Sequence, residues 1–419
     1  MFTTQPTSIC IISGYPPNIG RGAESTSILV NSLKNKSEVS NLLILGNEVS
    51  SLFNDFSDGK VTVCRIWSPN SCRSILKLFR KLVRNKTDII HIIYGYLYYG
   101  KPVFSALFIL SLLLLSKILS RKVVLTIHQV FSYCEVERKF IKKFAGNLPP
   151  FLIKLSFVGL TKMIGQLSLA IIVIHPKHAE ILRREYRLKN VRYIPIGLTK
   201  KMFISKKEAK KKLHLEVQYV LLVFGFIAPF KGVEYAILAI NNIIKKVNNV
   251  ILIIAGTILP SYNPIEAKLY IEYLKHTVHS SSLESHILFV ERYLLDHEVS
   301  LYFAASDAII MPNIEQTGPS EIWRLAAIHG LPTIASDIAY FRRDIIDGET
   351  GILFKVKDTE RLALAILNLL LNKKLEKKII KNLKDRSKDY LVENVANEHL
   401  NLYQNLVKRN TTSNNSLTE

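Results

Sequence analysis

The stretch Ser306–Ser336, SDAIIMPNIEQTGPSEIWRLAAIHGLPTIAS, constrains the fold more than any other part of the chain. Its apolar run Ala308–Pro312 is typical of a buried strand, and a polar loop follows it. A helical pattern over Glu321–Ile328 ends before Gly330, and Leu331–Ala335 begins another strand. Strand, loop, helix and strand in this order predict one layer of a parallel α/β sheet.

The loop of this stretch is the first candidate for a ligand site. Loops at the carboxyl ends of parallel strands hold ligands, and a helix N-terminus favours an anion. Residues Glu315–Glu321 join such a strand to such a helix and include the breakers Gly318 and Pro319. We therefore expect a phosphate-bearing ligand there, with an ordinary turn as the alternative.

The same alternation recurs along both halves of the chain and predicts two doubly wound α/β domains that face one cleft. We expect an N-terminal domain over residues 1–197, a C-terminal domain over 198–395, a helix over 396–409 that returns to the first domain, and a disordered tail over 410–419. The predicted strands are Ser8–Ser13, Leu42–Leu45, Thr62–Ile66, Asp88–Ile93, Val123–Gln129, Ile171–Ile174, Val191–Ile194, Val220–Phe224, Val250–Ala255, Ile287–Val290, Ala308–Pro312, Thr333–Ser336 and Gly351–Phe354.

The composition favours a reducing compartment and an anionic partner. The four cysteines are scattered and form no CxxC pair, and the N-terminus lacks a signal-like apolar core, so we expect a cytoplasmic protein. A net charge of +22 suits an anionic lipid or a phosphorylated substrate, although a basic bias of the source explains it equally well. No arginine-rich tract with interleaved aromatic residues predicts nucleic-acid binding.

Two apolar segments raise the question of a membrane. Val103–Ser116 is shorter than the roughly 18 to 20 residues of a spanning helix, so it predicts a buried helix. The segment Glu135–Lys162 alternates basic residues with Phe and Leu clusters. It suits an anionic membrane face, and a surface helix that covers the core is the alternative.

Polar residues at the predicted strand ends of the first half are further candidates. The loop Gly14–Gly22 is rich in glycine and proline and can hold a phosphate through backbone N–H groups, or form a tight turn with Arg21 in solvent. His91 and His128 come late in two strands, and a histidine can exchange a proton near neutrality. For His91 a core or turn position is the stronger interpretation.

Taken together, the motifs resemble the GT-B glycosyltransferases of the retaining group called glycosyltransferase family 4. The resemblance runs from Ile9 to about Val407. It implies a nucleotide-sugar donor in the second half, an acceptor in the first, retention of anomeric configuration, and no metal or other cofactor. The motifs are ISGYPPNIGRGAES, DIIHI, VVLTIH, RYIPIGL, VFGFIAPFKGVEYAILAI, SLYFAASDAIIMPN, AAIHGLPTIASD and IIDGETGILF.

In the second half, the resemblance gives Lys231 the role of the lysine that contacts the donor diphosphate. Phe226 stands where the family usually has an arginine, so one expected cation is missing. Glu315 matches the first of two motif glutamates and is assigned a catalytic role. The second glutamate falls at Trp323 when counted forward from Glu315 and at Leu325 when counted back from Gly330. Neither residue is acidic.

The sequence TGPSEIWR replaces the usual motif around the second glutamate. A similar variant within the family suggests that Gly318 and Ser320 meet the diphosphate. Glu321 would then serve the sugar or ribose, and Arg324 would replace the missing arginine.

In the first half, Gly20 and Gly22 match the glycine-rich loop that approaches the donor phosphate and the acceptor. His128 matches the catalytic histidine of the family's TxH element, and Arg21 and His91 are acceptor-side candidates. The expected activity is transfer of a hexose from a nucleotide-diphosphate sugar to a glycan or lipid-linked acceptor. A catalytically degenerate binding or scaffold subunit is the main alternative. An epimerase or a phosphorylase is disfavoured by the family-like KG element at Lys231-Gly232 and the GxP element that begins at Gly330.

Overall fold

The computed structural model of the protein describes residues 5–18, 21–49, 55–135, 150–199, 204–258, 263–316 and 320–415. The chain forms two compact units. The first unit comprises Met1–Gly197 together with Val392–Glu419, and the second comprises Leu198–Leu391.

Within the described residues, the first unit contains one sheet of eight strands in the order β3-β4-β2-β1-β5-β6-β7-β8. All neighbours are parallel except β3 and β4. Ile9 of β1 pairs with Leu42 of β2 on one side and with Ile89 of β5 on the other, so the strand order reverses between β1 and β5. The strands are β1 Thr7–Ile12, β2 Val39–Asn47, β3 Phe56–Asp58, β4 Val61–Trp67, β5 Ile89–Tyr94, β6 Lys122–Ile127, β7 Ala170–Val173 and β8 Val191–Tyr193.

Helices cover both faces of this sheet. Three helices, named α2, α3 and α5 at the end of this paragraph, cover one face. Their residues Leu78, Phe108 and Phe157 belong to one apolar core with that face of the strands. Leu29 of the first helix and Tyr403 of the last helix belong to the core on the other face. The helices are α1 Arg21–Leu33, α2 Cys72–Arg84, α3 Pro102–Ile118, α4 Tyr133–Glu135, α5 Pro150–Leu167, α6 Pro176–Arg184 and, after the second unit, α15 Val392–Asn415.

The described part of the second unit contains one parallel sheet of six strands in the order β11-β10-β9-β12-β13-β14, which reverses between β9 and β12. Its strands are β9 Tyr219–Phe224, β10 Val250–Ala255, β11 Ile287–Val290, β12 Ala308–Met311, β13 Thr333–Ser336 and β14 Ile352–Phe354. Its helices are α7 Lys206–Lys212, α8 Val233–Ile243, α9 Pro264–Ser280, α10 Asp296–Ala305, α11 Glu321–His329, α12 Phe341–Asp344, α13 Thr359–Leu371 and α14 Lys373–Ser387. The predicted α/β class with two doubly wound sheets is therefore confirmed.

Local capping signals fix several helix ends in the second unit. The side chain of Asp358 accepts a hydrogen bond from the backbone of Arg361 at 2.9 Å and begins α13. Ser205 caps α7 through the backbone N–H of Glu208 at 3.2 Å. Gly330 ends α11 with φ +66°, a left-handed conformation that glycine adopts without strain.

Three features differ from the sequence predictions. Strand β3 was not predicted, because its three residues are all exposed and give no apolar pattern. Helix α3 was predicted to be buried, but Val103 and Ile118 are 74% and 79% exposed. Helix α15 begins four residues before the predicted boundary, since Val392 and Val395 are already buried in the first unit, and it continues to Asn415 within the predicted tail.

Candidate functional site

In the second unit, the reversal point of the sheet brings two loops together. Leu221 and Leu222 of β9 pair with Ala308 and Ile309 of β12, so these strands are neighbours and end at the same edge. A ligand of a doubly wound sheet binds at such a reversal, outside the carboxyl ends of the strands. The loop from Gly225 follows β9 and the loop from Pro312 follows β12.

The first of these loops ends in a tight turn that only glycine can complete. Pro229–Lys231 forms a single 3-10 turn, and Gly232 follows with φ +63°. A Cβ atom at position 232 would lie 2.3 Å from the carbonyl oxygen of Pro312. The left-handed backbone and the close approach of the second loop therefore both require glycine after Lys231.

A backbone hydrogen bond ties the two loops directly. The N–H of Ile314 donates to the carbonyl oxygen of Phe230 at 2.9 Å. Two of the predicted site residues flank this bond. Lys231 directly follows the acceptor residue, and Glu315 directly follows the donor residue. The fold therefore brings their backbones together, with Lys231 partly buried and Glu315 exposed.

Lys231 lines a recess of about 20 Å³ beside Gly225, Phe226, Asn313 and Ile322. Its ammonium group lies 5.6 Å from the centre of the Phe230 ring. Phe226 contributes apolar surface where the family pattern has an arginine. A cation at the edge of an apolar recess is only partly hydrated, which strengthens its attraction for an anion.

The hydroxyl of Tyr270 fixes the helix that follows the lysine. It donates a short hydrogen bond to the carboxylate of Glu234 and accepts one from the backbone of Val233 at 3.2 Å. Burial raises the pKa of Tyr270 well above its usual range, so the hydroxyl stays protonated at neutral pH. Sequence reasoning missed this support because Tyr270 comes from a helix far along the chain.

The N-terminus of α11 is the third part of the second-unit site. Ser320 is 5% exposed and caps the helix, with its Oγ accepting from the backbone of Trp323 at 3.2 Å. Glu321 opens the first turn and is partly buried. Gly318 lies outside the described residues, so its predicted contact remains a prediction.

Arg324, one turn into α11, has a buried guanidinium group for which the described residues provide no hydrogen-bond partner. It is 3% exposed, and none of its three guanidinium nitrogens has a partner among the described residues. A buried, unpaired charge is costly, and an anion would relieve that cost. This environment suits the predicted phosphate role without testing it.

Trp323 belongs to the core of the second unit rather than to a ligand site. It is fully buried, and its ring lies edge-on to Tyr390 with 5.5 Å between ring centres. The guanidinium of Arg386 stands 5.6 Å from the ring centre on the α14 side. The motif position that forward counting assigns to the second glutamate is therefore a packing position in this chain.

In the first unit, the reversal between β1 and β5 brings Gly22 and Tyr98 into contact. A Cβ atom at position 22 would lie 0.9 Å from the hydroxyl oxygen of Tyr98, so a larger residue there requires the Tyr98 ring to move. Burial raises the pKa of Tyr98 to about 12. The Tyr98 ring in turn lies edge-on to His128, with 5.8 Å between ring centres.

His128 follows the last residue of β6 and is partly buried. Its backbone N–H donates to the carbonyl oxygen of Tyr94 at 3.0 Å, which holds it at the carboxyl edge of the sheet. Gly22, Tyr98 and His128 thus form one cluster, of which sequence reasoning found the first and the last. Gly20 lies outside the described residues, as does the side chain of Arg21, which begins α1.

His91 is in the core, not at the ligand edge. It is the third residue of β5, is fully buried, and has hydrogen bonds at both ring nitrogens. Nε2 is 2.7 Å from Thr126 Oγ1, and Nδ1 is 2.8 Å from the hydroxyl of Tyr403 on α15. Burial, with the nearby His399 and His128, lowers its pKa well below the usual value. The acceptor-side role expected for His91 is therefore replaced by a structural one.

A cavity of about 40 Å³ lies between this sheet face and helices α1 and α15. His91, His128 and His399 all line it. Among the described residues, no group of three or more His, Cys, Asp or Glu side chains could hold a metal ion.

Comparisons with known proteins give a family match for the second unit and a fold match for the chain. Residues 205–386 match the family described as glycosyl transferases group 1. A GDP-mannose-dependent alpha-(1-6)-phosphatidylinositol monomannoside mannosyltransferase from Mycobacterium tuberculosis is 21% identical over 193 residues. That match covers 44% of this chain and only 47% of the relative, so the chain spans about half the length of this curated relative.

Two solved structures resemble the whole chain. Sucrose-phosphate synthase from Thermosynechococcus elongatus has a TM-score of 0.70 at 19% identity, covering 96% of this chain and all of that one. The Anabaena protein HepE in complex with UDP has a TM-score of 0.66 at 14% identity, covering 94% and 99%. At such identities the likeness establishes the fold.

Proposed function

Because this chain has the GT-B fold and its second unit belongs to the glycosyl transferases group 1, we propose that it is a retaining glycosyltransferase. It moves a hexose-type sugar from a nucleotide-diphosphate sugar to a glycan or lipid-linked acceptor. The observation that carries the proposal is the pair of tied loops at the reversal point of the second sheet, which place Lys231 beside the loop of Glu315.

The second unit supplies the donor side in this proposal. When the bond between sugar and phosphate breaks, negative charge develops on the diphosphate, and a fixed cation stabilises it. Lys231 is that cation, and the capped N-terminus of α11 adds backbone N–H groups and the hydroxyl of Ser320. Arg324 provides a second positive charge, and Glu315 and Glu321 orient the sugar and ribose hydroxyls.

The first unit supplies the acceptor side. The acceptor oxygen attacks the anomeric carbon on the face that the diphosphate leaves, so the configuration is retained. The departing phosphate oxygen takes the proton of the acceptor hydroxyl, and no protein nucleophile is needed. His128 orients the reacting hydroxyls by hydrogen bonding, and the protein contributes position and charge.

The proposal includes metal independence and a location at the cytoplasmic face of a membrane. Lys231 and the helix N-terminus would together replace the charge that a divalent ion provides at a diphosphate. None of the described helices is long and apolar enough to cross a bilayer. A lipid-linked acceptor would therefore be reached from the surface.

A binding or scaffold subunit without catalytic activity is the second candidate. It is favoured by the apolar Phe226 in the recess of Lys231 and by Trp323 in the core. The family pattern has an arginine at the first position, and its second glutamate falls either at Trp323 or at Leu325, neither of which is acidic. Such a subunit would keep the fold and release no nucleotide from a sugar donor.

The first test is a thermal-shift and hydrolysis screen with UDP-, GDP- and ADP-sugars, without metal, with magnesium, and with a chelator. One nucleotide sugar should raise the melting temperature by several degrees. The shift should disappear in Lys231→Ala and persist in the matched control Lys211→Ala, whose lysine is exposed on α7. The names of the relatives make GDP-mannose and UDP-glucose the first donors to try.

Each outcome decides between the two candidates. Stabilisation with slow release of the matching nucleotide supports transfer, and stabilisation without release supports the scaffold. No shift with any donor, for a folded protein, rejects the donor site altogether.

A further inference from the structure

Exposed apolar side chains concentrate on three helices of the first unit. Helices α2, α3 and α5 comprise 48 residues, yet they carry eleven of the twenty-four large hydrophobic side chains that are exposed among the described residues. The rest are scattered over the other elements. The eleven are Leu76, Phe79 and Val83 on α2, Val103, Leu107, Leu114 and Ile118 on α3, and Phe151, Leu152, Leu155 and Met163 on α5. We call this surface the α2–α3–α5 face.

These side chains share one side of the first unit. The buried residues of the three helices join a single core against one face of the sheet, and α3 packs against both α2 and α5. The helices therefore lie side by side, and their opposite sides all point outward. On α3 the exposed residues 103, 107, 114 and 118 follow spacings of four, seven and four, which place them in one stripe along the helix.

The α2–α3–α5 face has the dimensions of an interaction surface. A helix of 17 residues is about 26 Å long, and neighbouring helices lie about 8–10 Å apart. Three such helices side by side span roughly 26 Å by 16–20 Å between their outer axes, which is at the level of the few hundred Å² at which exposed apolar surface is often functional. A surface of this size indicates an interaction partner.

The charges of the same helices are all positive. The three helices contain eight Lys or Arg residues and no Asp or Glu. On α2, a stripe of exposed basic residues runs beside the apolar stripe of Leu76, Phe79 and Val83. The members of this basic stripe are Arg73, Lys77, Arg80 and Arg84, of which Lys77 is ion-paired with Glu48.

Apolar side chains flanked by basic ones match a bilayer with anionic headgroups. The apolar stripes enter the boundary between headgroups and acyl chains, while the long basic side chains extend to the phosphates. A second copy of this chain fits poorly, since two faces with eight positive charges each would repel. Nucleic acid would match the charge but not the exposed aliphatic side chains.

We propose that the α2–α3–α5 face is the docking surface for an anionic lipid bilayer. This inference rests on the proposed function, because the face would hold the protein on the membrane that contains a lipid-linked acceptor. It assigns membrane contact mainly to helices outside the segment 135–162, of which residues 136–149 are not described. The contact is peripheral, because no described helix can span a bilayer.

The test is sedimentation of the full chain with phosphatidylcholine vesicles, with and without 30% phosphatidylglycerol. We expect binding to the anionic vesicles that weakens as salt is raised. The triple variant Val103→Asn, Leu107→Gln, Leu114→Gln should bind at least tenfold more weakly. Its matched control is Val217→Asn, Ile265→Gln, Leu364→Gln, which changes equally exposed apolar residues of the second unit and should bind like the wild type.

A second pair of variants separates charge from apolar insertion. Replacing Arg73, Arg80 and Arg84 by Gln should weaken binding severalfold at low salt and reduce its salt dependence. Replacing Lys207, Lys211 and Lys212 on α7 by Gln removes the same charge elsewhere and should change little. If the variant and the control lose vesicle binding equally, the effect depends only on the net charge of the protein, and the proposal is overturned.

Two further outcomes would also overturn it. One is the absence of binding to either vesicle type. The other is a wild-type dimer that the α3 triple variant converts to a monomer without any change in vesicle binding, which would make the face a self-association surface. Vesicle binding needs no sugar donor, so failure here is distinct from failure of the donor screen.

Discussion

Tyr98 fills the space beside Gly22. Its hydroxyl oxygen occupies the space where a Cβ atom would stand, 0.9 Å from the ideal position. Gly22→Ala should therefore destabilise the first unit by about 1–3 kcal/mol, the usual cost of overpacking a filled site. Urea unfolding in a Trp323→Phe chain measures this, since the remaining Trp67 lies in the first unit and alone gives tryptophan fluorescence.

The same pair offers a rescue and a control. Tyr98→Ala removes the obstructing ring, so the double variant Gly22→Ala, Tyr98→Ala should be less destabilised than the two single costs added together. Gly159→Ala on α5 adds a Cβ into open space and should stabilise the unit by about 0.5–1 kcal/mol. Additive costs in the double variant would show that Tyr98 does not set the requirement for glycine.

At this scale the sequence predicts motif positions better than their partners. Gly22, Lys231 and His128 stand out because they follow strands in a recognisable order. Tyr98 does not, because the segment YGYLYYG contains four tyrosines and the sequence does not show which of them contacts Gly22. For His91 the core position is the stronger interpretation and is confirmed, but its hydrogen-bond partners Thr126 and the distant Tyr403 could not be read from the sequence.

At the scale of elements, apolar content locates helices and strands but does not give their exposure. Helix α3 is apolar on all sides, which predicts a buried helix. The sheet and its two neighbours cover only part of it, and the remaining stripe is exposed. Strand β3 shows the converse, because three exposed residues without an apolar pattern form an antiparallel edge strand through hydrogen bonds to β4.

Helix α15 makes the stability of the first unit depend on pH. Burial lowers the pKa of His399 on this helix to about 4, and the pKa of the adjacent His91 is also well below its usual value. Between about pH 6.5 and 4 the unfolded chain binds protons at these residues and the folded chain does not. Stability should therefore fall as the pH drops through this window, with His399 alone accounting for about 3 kcal/mol.

His399→Phe isolates this contribution. The variant keeps a ring in the space but cannot take up a proton when unfolded, so its free energy of unfolding should fall less steeply between pH 6.5 and 4. Urea titrations at four pH values compare it with His276→Gln, which changes an exposed histidine of α9 in the second unit. Parallel curves for wild type and His399→Phe would contradict the assignment.

For the whole molecule, the repeated alternation of strands and helices predicts two units, and the structure divides the chain at residues 197 and 391. The sequence could not give the first residue of α15, because its buried positions become visible only against the sheet and α1 that they cover. The proposed donor site follows the same division. Its tied loops, Lys231 and α11 all belong to the second unit.

This division predicts which half of the molecule a nucleotide stabilises. Each unit contains one tryptophan, Trp67 in the first and Trp323 in the second. In a Trp67→Phe chain the fluorescence of Trp323 reports the second unit, and in a Trp323→Phe chain Trp67 reports the first.

The nucleoside diphosphate selected by the donor screen, at about 100 times its dissociation constant, should stabilise the second unit by about 2.7 kcal/mol. The midpoint reported by Trp67 should move much less, and Lys231→Ala should abolish the shift at Trp323. A larger shift at Trp67 than at Trp323 would place the nucleotide on the first unit and reject the assignment of the tied loops.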